Sequence, residues 1–266
     1  MTRALDLFKL DGKVALVTGG ATGLGYFIAE GLAEAGADVA ICGRGQSGGL
    51  EDARHRLERT GRKCIAIACD VSNEDDVVAM TARVAEHFGR CDVLVNNAGI
   101  GGMTPSVQLS ADAWTQMMDI NLKGMFLCCR ELGKLMIEQA SGCIINISSE
   151  NGQVGFSTGM AHYATTKIGA IGLTRSLAVE WGKHGIRVNA ILPGNMQEGM
   201  MAFLQDTESP VYAFMGPPLL GQTPLGSFGT GDDMKGAAVF LASDAGRYVT
   251  GAKLVVDGGF TINAGL

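Results

Sequence analysis

The sequence predicts an α/β fold in which seven parallel strands form one doubly wound sheet with helices on both faces. Three observations carry this expectation. Short β-branched runs alternate with longer segments of helical period, as in βαβ units whose strands are buried on both sides. Hydrophobic residues make up 47% of the 266 positions and charged residues only 18%, which supplies a large core and excludes disorder as a main theme. The 39 glycines accompany only 6 prolines, with no fibrous repeat, so they mark tight turns and close backbone approaches.

In chain order, β-branched runs place strands at residues 13–18, 38–42, 64–69, 91–96, 142–148, 186–192 and 253–256. Between them, helical periodicity marks residues 24–35, with Ile28 and Leu32 on one face, then 74–88, 111–139, 163–182 and 232–241. Gly169 and Gly172 weaken the fourth of these helices but permit close packing. No low-complexity linker or solenoid-length repeat divides the chain, so residues 1–266 read as a single domain. Residues 195–229 break the rhythm. They hold Pro210, Pro217, Pro218 and Pro224 among Met196, Met200, Met201, Phe203, Tyr212, Phe214 and Met215. This stretch is too long for an ordinary connection and is read as a substrate lid, with a packed excursion or an oligomer contact as the alternative.

A net charge of −6 argues against nucleic-acid binding, which needs a basic face. The 7 cysteines, Cys42, Cys64, Cys69, Cys91, Cys128, Cys129 and Cys143, lie mostly in apolar runs without metal-ligand spacing. They read as reduced, buried thiols of a cytoplasmic protein, and no metal site is expected. Arg3, Asp6, Lys9 and Asp11 interrupt the amino-terminal stretch, which lacks the apolar core of a secretory signal. No apolar run approaches the roughly 20 residues of a membrane span, so a soluble protein is expected.

The first strand runs into Thr18-Gly19-Gly20-Ala21-Thr22-Gly23-Leu24-Gly25 and then a helix. Glycines there let backbone N–H groups approach a pyrophosphate, and the helix N-terminus favours negative charge. Tyr163 and Lys167 stand four residues apart at the start of a helix, on one face. Asn96-Asn97-Ala98-Gly99 follows the fourth strand, Ser148 and Ser149 end the fifth, and Pro193-Gly194 and Asp257-Gly258-Gly259 follow the sixth and seventh. This ordered set, spanning about residues 7–260, resembles the short-chain dehydrogenase/reductase family, whose glycine spacing is GxxxGxG.

The resemblance implies a Rossmann-type fold and hydride transfer between a nicotinamide cofactor and a secondary alcohol or ketone. It implies a catalytic tetrad of Asn121, Ser149, Tyr163 and Lys167, with Ser149 better aligned than Ser148. Ser149 would polarise the substrate oxygen, Lys167 would also bind the nicotinamide ribose, and Asn121 would hold a water connecting Lys167 to solvent. A free phenol titrates near 10, so Tyr163 needs neighbouring cations to favour phenolate before it can accept a proton at neutral pH. The implied cofactor contacts are Gly19, Thr22, Gly23, Leu24, Gly25, Arg44, Asp70, Val71, Asn97, Ala98, Gly99, Tyr163, Lys167, Pro193, Gly194, Asn195 and Met196. Asp70 would meet the adenine amino group.

Gly43 stands where NAD-preferring relatives carry an acid, and Arg44 offers a planar donor to a 2′-phosphate. NADP(H) is therefore expected, with NAD(H) left open because Thr22 replaces a second basic contact. Glu198 stands where relatives often have a threonine that helps hold the cofactor. Ser149, Asn151, Tyr163 and Met200 are the expected substrate contacts. Glu150, Asn151 and His162 suit the hydroxyls of a sugar acid or polyol, whereas Met200, Met201, Phe203, Tyr212 and Phe214 suit an apolar ketone or acyl-thioester. A nucleotide-binding sensor without turnover is the alternative of another class. The layout also implies a homotetramer built on helices 111–139 and 163–182, with residues 261–266 reaching a neighbour.

Overall fold

The computed structural model describes residues 3–45 and 49–263. Seven strands, β1 (Val14–Thr18), β2 (Asp38–Gly43), β3 (Cys64–Ala68), β4 (Val93–Asn96), β5 (Gly142–Ile147), β6 (Ile186–Pro193) and β7 (Lys253–Val256), form one sheet in the order β3-β2-β1-β4-β5-β6-β7. Every pairing is parallel. Side chains alternate across a strand, and burial follows that alternation. Ala15, Val17, Val39, Ile41, Val93, Val95 and Ile145 enter one core, against α1 (Gly23–Glu34) and α8 (Gly231–Ala242). Val14, Leu16, Ala40, Leu94, Ile144 and Val188 enter the other. There they meet α3 (Glu74–Phe88), α5 (Gly124–Glu138) and α6 (Ala161–Trp181).

Strand and helix ends fall within two residues of the expected positions, with three differences. A helix, α2 (Gly49–Glu58), joins β2 to β3 where none was expected; it buries only Ala53 and Leu57, too few anchors to show a period. The single helix expected at 111–139 is α4 (Ala111–Met118), a π-helical turn at Asp119–Lys123, and α5. The turn adds a residue per hydrogen-bonded ring without ending the helix, so the apolar pattern runs on through it. Within 195–229 lie a 3₁₀ segment (Gly199–Gln205) and α7 (Pro210–Gly221), which holds Pro217 and Pro218 in its interior.

The excursion is pinned at its base. Gln197 N–H donates to Gly229 O at 2.8 Å, and Gly229 N–H donates to Asn195 O at 3.0 Å. All seven cysteines are free and buried. Among the described residues no group of acidic, His and Cys side chains is placed to hold a metal, and no helix is long and apolar enough to cross a membrane. Of the tail expected to reach a neighbour, residues 264–266 lie outside the described residues.

Candidate active site

The chain leaves β1 to one side for β2 and β3, then returns across it to β4, so the sheet order reverses between β1 and β4. Open α/β sheets bind ligands beyond the strand C-termini at such a point. A cleft of about 1340 Å³ lies there, larger than an ordinary small-molecule pocket. It runs from Arg44 and Asp70, past Gly19 to Leu24, to Ser149, Tyr163 and Lys167.

The glycine turn is held by β4. Asn97 Nδ2 donates to Thr18 O at 3.0 Å and to Gly19 O at 3.2 Å, while Thr18 Oγ1 accepts the N–H groups of Asn97 and Ala98, each at 3.0 Å. Gly19 has φ +63°, and a Cβ on it would lie 3.0 Å from Ala98 Cα. On Gly25 a Cβ would lie 2.3 Å from both Asn97 Nδ2 and Gly19 O. Only glycine fits there without displacing the turn. Thr22, at the N-cap of α1, makes no side-chain capping bond, so the leading N–H groups of the helix remain presented to the cleft. These features fit a pyrophosphate. Leu24, Gly23, Val71, Asn97, Ala98, Gly99, Pro193, Gly194, Asn195 and Met196 also line the cleft. Asp70 accepts from Ser72 N–H at 2.9 Å and Ser72 Oγ at 2.7 Å, and these bonds hold its carboxyl below the usual range.

At the other end, α6 presents Tyr163 and Lys167, both buried, with Lys167 Nζ 5.4 Å from the Tyr163 ring centroid. Lys167 Nζ donates to Ile147 O at 3.0 Å. The two serines differ: Ser148 Oγ donates to Lys167 O at 2.8 Å, a contact within the framework, whereas the Ser149 side chain stands near enough to the Tyr163 phenol to favour its ionised form. Ser149 Oγ also accepts Asn151 N–H at 3.2 Å and Asn151 Nδ2–H at 3.4 Å.

A sequence profile described as enoyl-(acyl carrier protein) reductase matches residues 19–261. The chain is 40% identical over 270 residues to D-threitol dehydrogenase of Mycolicibacterium smegmatis, covering 98% of this chain and 100% of that one. It is 40% identical over 247 residues to a 3-oxoacyl-(acyl-carrier-protein) reductase of Staphylococcus aureus, covering 93% and 97%. A crystal structure of gluconate 5-dehydrogenase from Burkholderia cenocepacia, in complex with NADP and tartrate, superposes with a TM-score of 0.89 at 34% identity, covering 98% and 99%. The chain belongs to the short-chain dehydrogenase/reductase family. As a short-chain dehydrogenase/reductase it is an NAD(P)-dependent oxidoreductase acting on alcohols and ketones.

In the protein alone, burial pushes the Tyr163 phenol up to about 12; Ser149 opposes this and Glu150 adds to it. Burial also brings the Lys167 ammonium down to about 8, because a desolvated charge is disfavoured. Asn121 sits in the π turn, and its amide clasps the loop after β4: Oδ1 accepts Ile100 N–H and Nδ2 donates to Ile100 O, both at 2.8 Å.

Of the expected apolar contacts, Met200, Met201 and Phe203 reach the cleft. Tyr212 turns instead to Phe228, edge to face at 6.5 Å, and Phe214 is exposed. Two framework groups, Asn146 and Thr174, escaped sequence reasoning. Asn96 Nδ2 donates to Asn146 Oδ1 and Asn146 Nδ2 to Thr174 Oγ1, each at 2.9 Å, linking β4 and β5 to α6. The spacing of Tyr163, Lys167, Ala170 and Thr174 on one helical face was the available signal.

Proposed function

We propose that the chain catalyses reversible hydride transfer between NADP(H) and a secondary alcohol or ketone that carries further hydroxyls, as in a sugar acid or polyol. The observation that carries this is the Ser149–Tyr163 pair beside Lys167 at the end of a cleft that begins with the glycine cradle. Bound nicotinamide supplies or accepts the hydride. The chain supplies the proton: Tyr163 O–H, neutral in its buried setting, donates to the carbonyl oxygen during reduction and, as phenolate, receives the alcohol proton during oxidation. Ser149 Oγ orients the same oxygen. Lys167 holds positive charge beside the phenol, and Asn121 is a positioning residue that fixes the Ile100 loop.

Arg44, exposed at the cleft rim beside Gly43, supports a preference for a 2′-phosphate, with NAD(H) as the weaker substrate. Residues 195–229 serve as the substrate lid of a single domain; Met200 supports this, since a Cβ on Gly101 would lie 2.5 Å from its Sδ. The apolar lid wall of Met200, Met201, Phe203, Met215 and Leu219 favours a second reading, a reductase of apolar ketones or acyl-thioesters. Exposed Phe126, Ile168 and Val179 on α5 and α6 support a homotetramer, and the seven free thiols support a cytoplasmic setting.

Tyr163→Phe tests the reading. It should lower kcat by about 10³-fold while NADPH still binds. Unchanged turnover would remove Tyr163 from the chemistry, and NADPH binding without turnover of any alcohol by the unmodified chain would favour the sensor.

A further inference from the structure

At the reaction end of the cleft, four nine-tenths-buried side chains hold polar atoms without a partner: Glu150 Oε2, Asn151 Oδ1, His162 Nδ1 and Asn195 Nδ2. Three of them line the cleft directly. The fourth, His162, precedes Tyr163 on α6, with Nε2 3.5 Å from where Gly102 of the cleft wall would carry a Cβ. Buried polar atoms are rarely left unpaired, so a concentration of them in one wall marks where a ligand supplies the missing bonds. The set includes an amide acceptor, an amide donor, an imidazole and a carboxyl. Hydroxyl groups, which both donate and accept, satisfy all of them.

Charge narrows the ligand further. Among the described residues lining the cleft, the basic side chains are Arg44, at the adenosine end beside Asp70, and Lys167, already committed to Ile147 O and the Tyr163 ring. The acidic ones at the reaction end are Glu150 and Glu198, and Glu198 Oε2 is also unpartnered. Asp257 stands behind Glu150, with a Cβ on Gly194 reaching 2.6 Å from Asp257 Cβ and 3.0 Å from Glu150 Oε2. Its own carboxylate is satisfied by Gly259 N–H, Thr261 N–H and Thr261 Oγ1, so it offers Glu150 no hydrogen bond. No guanidinium or ammonium is free there to pair with a carboxylate on the substrate. A sugar acid would bring a carboxylate to a wall that holds two carboxyls and no uncommitted cation among the described residues to pair it, and an apolar ketone would leave the polar atoms unpaired.

We propose that the substrate is an uncharged polyol or its keto form, gripped through its hydroxyls by Glu150, Asn151 and His162, and that Glu150 discriminates against sugar acids. The proposal rests on the hydride-transfer reading above and selects among the substrates it allows.

Initial rates of the full chain with NADP⁺ test it, using xylitol and erythritol as uncharged polyols, gluconate as the sugar acid and 2-butanol as the apolar alcohol. The alditols should exceed both others in kcat/KM by about tenfold or more. At pH 9, where Glu150 has lost its proton, Glu150→Gln removes that charge and should raise the gluconate-to-xylitol ratio of kcat/KM by at least about fivefold. Glu150→Leu should lower alditol kcat/KM by about 30-fold, mainly through KM, with 2-butanol changed less than about threefold. A melting temperature at or above the wild-type value checks that Glu150→Leu folds.

Gluconate or 2-butanol outperforming the alditols in the wild type would overturn the proposal, as would equal losses on alditols and 2-butanol in Glu150→Leu. In both cases, activity that disappears in Tyr163→Phe would leave the hydride-transfer reading standing. No turnover of any of the four, with Tyr163→Phe indistinguishable from wild type, would remove both.

Discussion

Glu150 lends itself to a measurement that needs no substrate. Its side chain is 4% exposed, and burial, with a smaller contribution from the Asp257 charge, pushes its carboxyl up from 4.5 to about 8. A raised carboxyl binds a proton in the folded chain that the unfolded chain has already released between those two values, so stability falls as pH rises through that window. The contribution is fully present below 4.5 and lost above about 8. At 1.36 kcal/mol per pH unit the linked free energy is at most about 5 kcal/mol; water entry and side-chain relaxation reduce it to about 2–4 kcal/mol. Glu150→Gln carries no such proton. Its stability relative to wild type should therefore climb with pH, by about 5–10 °C in melting temperature between pH 5.5 and 8.5 for a chain of this size. Differential scanning calorimetry of both proteins without added nucleotide, at matched scan rates, gives the difference directly. The other charged or titratable groups facing Glu150 are Asp257 on the turn after β7, Tyr163 and Lys167 on α6, and Glu198 at the lid base; all are common to both proteins and drop out of the comparison to first order. Parallel melting curves across this range would show that Glu150 is solvated or paired, and the buried neutral carboxyl would have to be abandoned.

Arg44→Ala should reduce kcat/KM for NADPH by about 10- to 100-fold and leave NADH within about threefold; equal losses in steady-state rates would show that Arg44 does not read the 2′-phosphate. Gly25→Ala places a methyl 2.3 Å from Asn97 Nδ2 and Gly19 O, so NADPH affinity measured by fluorescence titration should weaken at least about tenfold, with a stability loss of about 1–3 kcal/mol. Because burial favours the neutral Tyr163 phenol, kcat for alcohol oxidation should rise with pH from 7 to 10, while ketone reduction should not; parallel pH profiles in the two directions would contradict this assignment.

The sheet was legible because parallel strands covered on both faces must be apolar on both faces, and runs such as Val93-Leu94-Val95 and Ile144-Ile145 admit few other structures. The candidate site was legible for a different reason: the ordered motifs resemble a family whose phenol and ammonium stand four residues apart on a helix, and the structure brings Tyr163 and Lys167 to one end of the cleft. What stayed hidden depends on partners that spacing cannot reveal. Two buried side chains do not show a helical period, so α2 escaped. The π turn at Asp119–Lys123 leaves the residue pattern unbroken, and its consequence, the Asn121 amide turning onto Ile100, depends on a loop some twenty positions away in the chain. The lift that burial gives the Tyr163 phenol was likewise unreadable, since spacing shows which charges are near and says nothing of how completely water is excluded.

Asn121 and Thr166 show how that exclusion of water is made compatible with precise placement. A buried phenol held by ion pairs would require further desolvated charges, each needing its own compensation. The chain uses uncharged donors and acceptors instead. Thr166 Oγ1 donates to Tyr163 O at 2.7 Å and accepts from Asn121 Nδ2 at 3.4 Å, while the same amide holds both polar atoms of the Ile100 backbone. One asparagine in one π turn thus ties the start of α6 to the loop bordering the cradle, so the glycine turn and the phenol are referenced to a common framework. On this reasoning Asn121→Asp, equal in size, would be a poor substitute for the amide: it loses the donor to Ile100 O and buries a carboxylate against that backbone carbonyl.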